Sequence, residues 1–123
     1  MAAVQDDVIV AAYINEFQFF NAGDDVTGVP NSDADFGANV TEGKVLASKR
    51  ENAAYYSEMM ASHAGATVTL GANFDAIQNH VNGMSIADTE ALAAEESPVD
   101  AISGATLVDT AGYLATILAA AQE

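Results

Sequence analysis

From Val8 to Phe20 the chain is rich in Val, Ile, Tyr and Phe without helical spacing. Branched and aromatic side chains suit a pleated, half-buried surface, so this run predicts one long strand. Asn21-Ala22-Gly23-Asp24-Asp25 and Gly28-Val29-Pro30-Asn31-Ser32-Asp33 come next, and their turn-forming residues predict a loop reaching to about Gly43. Between Lys49 and His63 the apolar positions Ala53, Tyr56, Met59 and Met60 recur at helical spacing, with Tyr55 and Met59 paired at i, i+4. That pattern predicts an amphipathic helix ending near Gly65.

Ala66 to Leu70 alternates small and β-branched residues and predicts a short strand. After Gly71, the positions Phe74, Ile77 and Val81 mark one face of a second helix, which Asn82-Gly83 should close in left-handed geometry. Ser85 stands three residues before Asp88, a capping-box-like start for a helix to about Ala94, and Glu95-Glu96-Ser97-Pro98 breaks it. Leu107 to Ala121 is dominated by Ala, Leu and Ile. Leu107, Tyr113, Leu114, Ile117 and Leu118 there form a candidate buried stripe of a C-terminal core helix. The order predicts an α+β fold, a small sheet with helices packed on it, in a single domain over residues 1–123. Phe17, Phe19, Phe20 and Phe74 are the expected aromatic core, and Tyr13 fits either core or surface.

Charge narrows the function. Three Lys and Arg against 18 Asp and Glu give a formal net charge of -15. Such a field repels phosphate backbones and anionic headgroups, which argues against nucleic acid and membrane surfaces as partners. The absence of cysteine removes disulfides, thiolate nucleophiles, iron-sulfur clusters and cysteine zinc sites. His63 and His80 lack a partner pattern for metal binding or acid-base work. Asn31, Asp33 and Asp35 begin like a calcium loop, but the residues through Gly37 to Glu42 do not complete EF-hand spacing. The start, Met1-Ala2-Ala3-Val4-Gln5-Asp6-Asp7, has neither the basic n-region nor the apolar stretch of a signal peptide. Location is left open.

The segment Asp100-Ala101-Ile102-Ser103-Gly104-Ala105-Thr106 directly precedes the last apolar run. A small-residue loop there can expose backbone N–H groups to an anion, Gly104 permits close approach, Ala105 leaves room, and Thr106 offers an oxygen nucleophile near a helix start. Taken alone, the same residues also describe an ordinary helix cap.

This segment resembles the Asp-x-x-Ser/Thr-Gly-Ala-Thr flavinylation motif of FMN-binding domains, the family that includes a flavin-bearing component of the sodium-translocating NADH:quinone oxidoreductase. Asp100, Ser103, Gly104, Ala105 and Thr106 fall in register with it. A looser similarity runs through the strand from Val8, the Lys44 to Met60 segment and the Phe74 to Ile86 segment. The resemblance implies a reduced FMN-binding domain acting as an electron carrier. A flavin transferase would move FMN from FAD onto Thr106, with Asp100 and Ser103 shaping the modification site, and redox partner proteins would supply and take electrons. Family members work mostly outside the cytoplasm or at the membrane. They also open with further strands before the one placed here at Val8, so the expectation is an open strand edge there. A trimmed start, a reduced fold, or a partner that supplies the pairing would account for it, the favoured partner being a second copy of the chain in a homodimer.

Other residues extend this reading. Lys44, Lys49 and Arg50 lie within seven positions and suit a phosphate or the N1-C2 edge of a reduced flavin; a solvated helix start pairing with Glu42 and Glu51 fits them equally. Tyr55, Tyr56, Met59 and Met60 suit an isoalloxazine platform, and core packing is the competing account. An acidic interaction domain without flavin, or one holding FMN noncovalently, is the alternative function. An enzyme with its own substrate lacks a convincing acid-base pair.

Overall fold

The computed structural model describes residues 1–30 and 43–123. The expected calcium-like start at Asn31, Asp33 and Asp35, and the pairing expected of Glu42, lie outside the described residues. Two compact units make up the chain, Met1–Ile14 with Gly71–Glu123, and Asn15–Leu70. The architecture is α+β, with two two-stranded antiparallel sheets and four α-helices, the last of them C-terminal, among the described residues.

In the first unit β1 (Ala2–Gln5) pairs with β2 (Val8–Ala12). Asp6 and Asp7 both adopt positive φ, 51° and 61°, the conformation of a two-residue hairpin turn whose twist matches its strands. Aspartate tolerates that region because its short side chain can bond locally. The far edge of β2 is also engaged: the Gly83 N–H donates to Ile9 O, the Ile9 N–H to Met84 O and the Ile86 N–H to Asp7 O. The strand from Val8 therefore has a partner on both sides, and among the described residues β1 is the outer strand of the pair.

Two helices of this unit follow the expected pattern. In α2 (Leu70–Val81) Phe74, Ile77 and Val81 are fully buried, and Gly83 ends the segment at φ +90°. In α3 (Ile86–Ala93) the Ser85 hydroxyl accepts from the Asp88 N–H at 3.0 Å. A 3₁₀ helix, Pro98–Ala101, occupies the predicted break. The last helix, α4 (Thr110–Ala121), begins three residues later than the apolar run suggests. Thr110 accounts for that start, its N–H and hydroxyl both donating to Leu107 O in a turn. Leu114, Ile117 and Leu118 join Ile9, Phe74 and Ile102 in the core, while Leu107 is half-buried ahead of the helix. Tyr113 packs edge-on against Phe74, centroids 5.1 Å apart.

In the second unit β3 (Phe17–Asn21) pairs with β4 (Lys44–Ser48), with Phe17 opposite Ser48 and Asn21 opposite Lys44. The single long strand expected from Val8 to Phe20 is thus two strands. The Ile14 N–H donates to the Gln78 side chain at 2.7 Å, leaving the β1–β2 ladder. Phe20 is buried and meets Tyr55 and Tyr56 edge-on, whereas Phe19 is half-buried and Phe17 is 52% exposed, contrary to the core expected of all three. Successive residues of a strand face opposite ways, so Phe17 and Phe19 lie on the face opposite Phe20. Helix α1 (Ala53–Ala64) ends at Gly65, whose φ of 64° turns the chain so that the Ala66 N–H donates back to Met60 O at 3.2 Å. Residues 66–69 form a non-helical connection to α2 and not the strand their branching suggests.

Candidate functional site

The Asp100–Thr106 segment belongs to the first unit, and its local geometry follows from small residues held between buried ones. Ile102 within it and Thr110 beyond its end are both buried. The Ala105 N–H donates to Ile102 O at 3.1 Å, closing a turn with Ser103 and Gly104 at its centre. Gly104 takes φ +90° at the third position of that turn, where a side chain would be strained. A Cβ on Gly104 would stand 3.4 Å from the Ala76 side chain, so the close approach that glycine permits is to α2.

Thr106 lies in an irregular stretch between this turn and the Leu107–Thr110 turn, and the residue is exposed. It is therefore not itself a helix cap: α4 begins at Thr110 with Asp109 at its N-cap position. What holds Thr106 is Asn73. The Thr106 N–H donates to Asn73 Oδ1 at 2.6 Å, and the Thr106 hydroxyl donates to the same oxygen at 3.3 Å. Asn73 is fully buried on α2, one residue before Phe74. Asp100 and Ser103 are exposed, Asp100 in the 3₁₀ helix and Ser103 in the turn.

Motif and periodicity do not single out Asn73, yet a signal is present in the sequence. A carboxamide on the stripe Leu70, Asn73, Phe74, Ile77, Val81 is a polar group on a buried face, and buried polar groups have specific partners.

Lys44, Lys49, Arg50, Tyr56 and Met59 belong to the second unit. Lys49 is buried, its Nζ 2.7 Å from Glu16 and 4.6 Å from the centre of the Tyr56 ring. Its charge is thus paired with Glu16, a carboxylate distant in sequence from the expected Glu51. The Lys44 ammonium donates to Asn21 Oδ1 across the β3–β4 pair, and Arg50 is half-buried. Tyr56, Met59 and Met60 are half-buried and line a groove of about 370 Å³ with His63 and Ala64, so none of the three is core. Tyr55 faces another hollow of about 310 Å³ beside Asp25, Glu51 and Glu58. Partial burial, the charge of Asp24, a hydrogen bond to Asp24 and the charge of Asp25 together raise the Tyr55 phenol above its ordinary pKa.

Among the described residues no cluster of three His, Asp or Glu is arranged to hold a metal ion, and no helix is long and apolar enough to cross a membrane. Comparison of the chain with protein-family models, with curated proteins and with solved structures finds no match.

Proposed function

We propose that this chain is a flavin-carrying electron-transfer domain, with FMN joined through its phosphate to Thr106. The observation that carries the reading is an exposed Thr106 in an irregular loop, its backbone fixed to the buried Asn73 of α2, within a seven-residue motif matched at every defined position. Exposure meets the first requirement of attachment, because a separate transferase has to reach the hydroxyl while α4 is folded.

The step is a phosphoryl-group transfer from FAD. A bond forms between Thr106 Oγ1 and the FMN phosphorus, the phosphoanhydride P–O bond breaks, and AMP leaves with that electron pair. The hydroxyl proton passes to a base of the transferase, since a neutral carboxamide such as Asn73 is too weak a base to hold it. Asp100 and Ser103, both exposed, are available to the transferase as recognition contacts. FMN supplies the redox chemistry, accepting and donating electrons; the protein binds and presents it, the usual division of labour for a cofactor carrier.

Coexpression with a flavin transferase tests the proposal. The wild type should acquire yellow absorbance that stays with the chain through denaturation, and Thr106→Ala should fold with the same circular dichroism but remain colourless. A colourless wild type, alongside a control substrate that is modified, leaves the acidic interaction domain as the better account.

A further inference from the structure

We propose that Asn73 is the positioning residue of the attachment site: its buried carboxamide oxygen orients Thr106 so that the lone pairs of Oγ1 face outward. The inference rests on the reading of Thr106 as the flavin acceptor. An amide oxygen has two acceptor sites, and Asn73 Oδ1 serves two donors of one residue, the Thr106 N–H at 2.6 Å and the hydroxyl at 3.3 Å. The shorter bond fixes the backbone. The longer one turns the hydroxyl hydrogen inward, which leaves the nucleophilic face of the oxygen toward the exposed side.

Thr106 has no helix of its own to orient it, because α4 begins only at Thr110. Its neighbours on both sides are loop residues, and Val108 is 99% exposed. In such a loop the placement of a hydroxyl is set by whatever bonds reach into the rigid part of the molecule. Asn73 is well suited to this, being fully buried on α2 beside core residues Phe74 and Ile77. Fixing a reacting atom in this way lowers the entropy that must be lost at the transition state.

The geometry also dictates what happens afterwards. Once Oγ1 is esterified it carries no hydrogen and becomes a second acceptor facing Asn73 Oδ1. The side-chain bond is lost and Oγ1 turns away, while the N–H bond persists. Asn73 therefore anchors the loop in both the bare and the modified protein, and the side chain of Thr106 alone changes partner.

The test measures the modification rate by intact mass, with a purified transferase and FAD, for wild type, Asn73→Leu and Asn73→Asp. Leucine keeps the volume and removes the acceptor; aspartate keeps an acceptor oxygen in place. Asn73→Leu should be modified about ten to a hundred times more slowly, yet reach one FMN per chain at long times, and Asn73→Asp should recover most of the rate. A variant that is merely misfolded would stop at a lower final extent instead. An unmodified wild type overturns the attachment site itself; a modified wild type with Asn73→Leu reacting at the same rate overturns only the role of Asn73. If neither variant folds, amide exchange in the wild type decides: the Thr106 N–H should be protected before and after modification. Exchange as fast as that of the exposed Val108 amide refutes the anchor.

Discussion

A phenol surrounded by carboxylates loses its proton reluctantly, because the phenolate adds a negative charge where several already stand. Tyr55 is such a group: partial burial first, then the charge of Asp24, its hydrogen bond with Asp24 and the charge of Asp25 raise its pKa. Folding raises this value above that of the unfolded chain. The neutral phenol thus contributes its full stability below about pH 10, and the contribution is lost as pH rises through the higher, folded value. A tyrosinate absorbance titration, read as the difference between wild type and Tyr55→Phe, should place Tyr55 above the ordinary tyrosine value, and Asp24→Asn should lower it. Ionisation of Tyr55 at or below the ordinary value contradicts this account. At the same scale, the motif residues Asp100, Ser103, Gly104, Ala105 and Thr106 were legible because each has a local chemical reason to be small or polar. Asn73 is legible only as a polar group on the apolar stripe of α2, because its partner lies thirty-three positions away and the stripe does not name it.

Elements whose signals are local were readable, and those decided by pairing were not. The Ser85 cap is the clearest local case: the hydroxyl accepts from the Asp88 N–H and donates to its carboxylate at 2.7 Å. Ser85→Ala should cost about 1 kcal/mol in a denaturant titration. A change near zero would show that α3 is held by packing alone. Gly65 and Gly83 likewise end their helices with the positive φ their sequence context predicts. Strand β1 is hidden in the sequence because, Val4 apart, its residues Ala2, Ala3 and Gln5 have little β propensity; the signal is Asp6-Asp7 set as a hairpin turn before the apolar run from Val8. Residues 66–70 erred in the other direction, since branched residues favour a strand only where a neighbouring strand pairs with them.

At the scale of the whole molecule, charge is divided unequally. The unit that holds Thr106 contains ten Asp and Glu residues and no Lys or Arg. Its field opposes the approach of free FMN or FAD phosphates, and that disfavours retention of the cofactor by noncovalent contacts alone. On the proposed reading, a covalent bond would remove the need for such contacts, and a transferase delivering the dinucleotide to the hydroxyl would overcome the repulsion. The order of elements and the α+β class followed from periodicity, whereas the division into two units did not, because it depends on contacts between residues 1–14 and 71–123, far apart in the chain. The most direct measurement is fragmentation mass spectrometry of the chain after reaction with transferase and FAD, which identifies the residue that carries the flavin. The account predicts one FMN on Thr106, with Ser103 and Thr110 unmodified. Flavin on another residue, or none on a chain exposed to an active transferase, contradicts it.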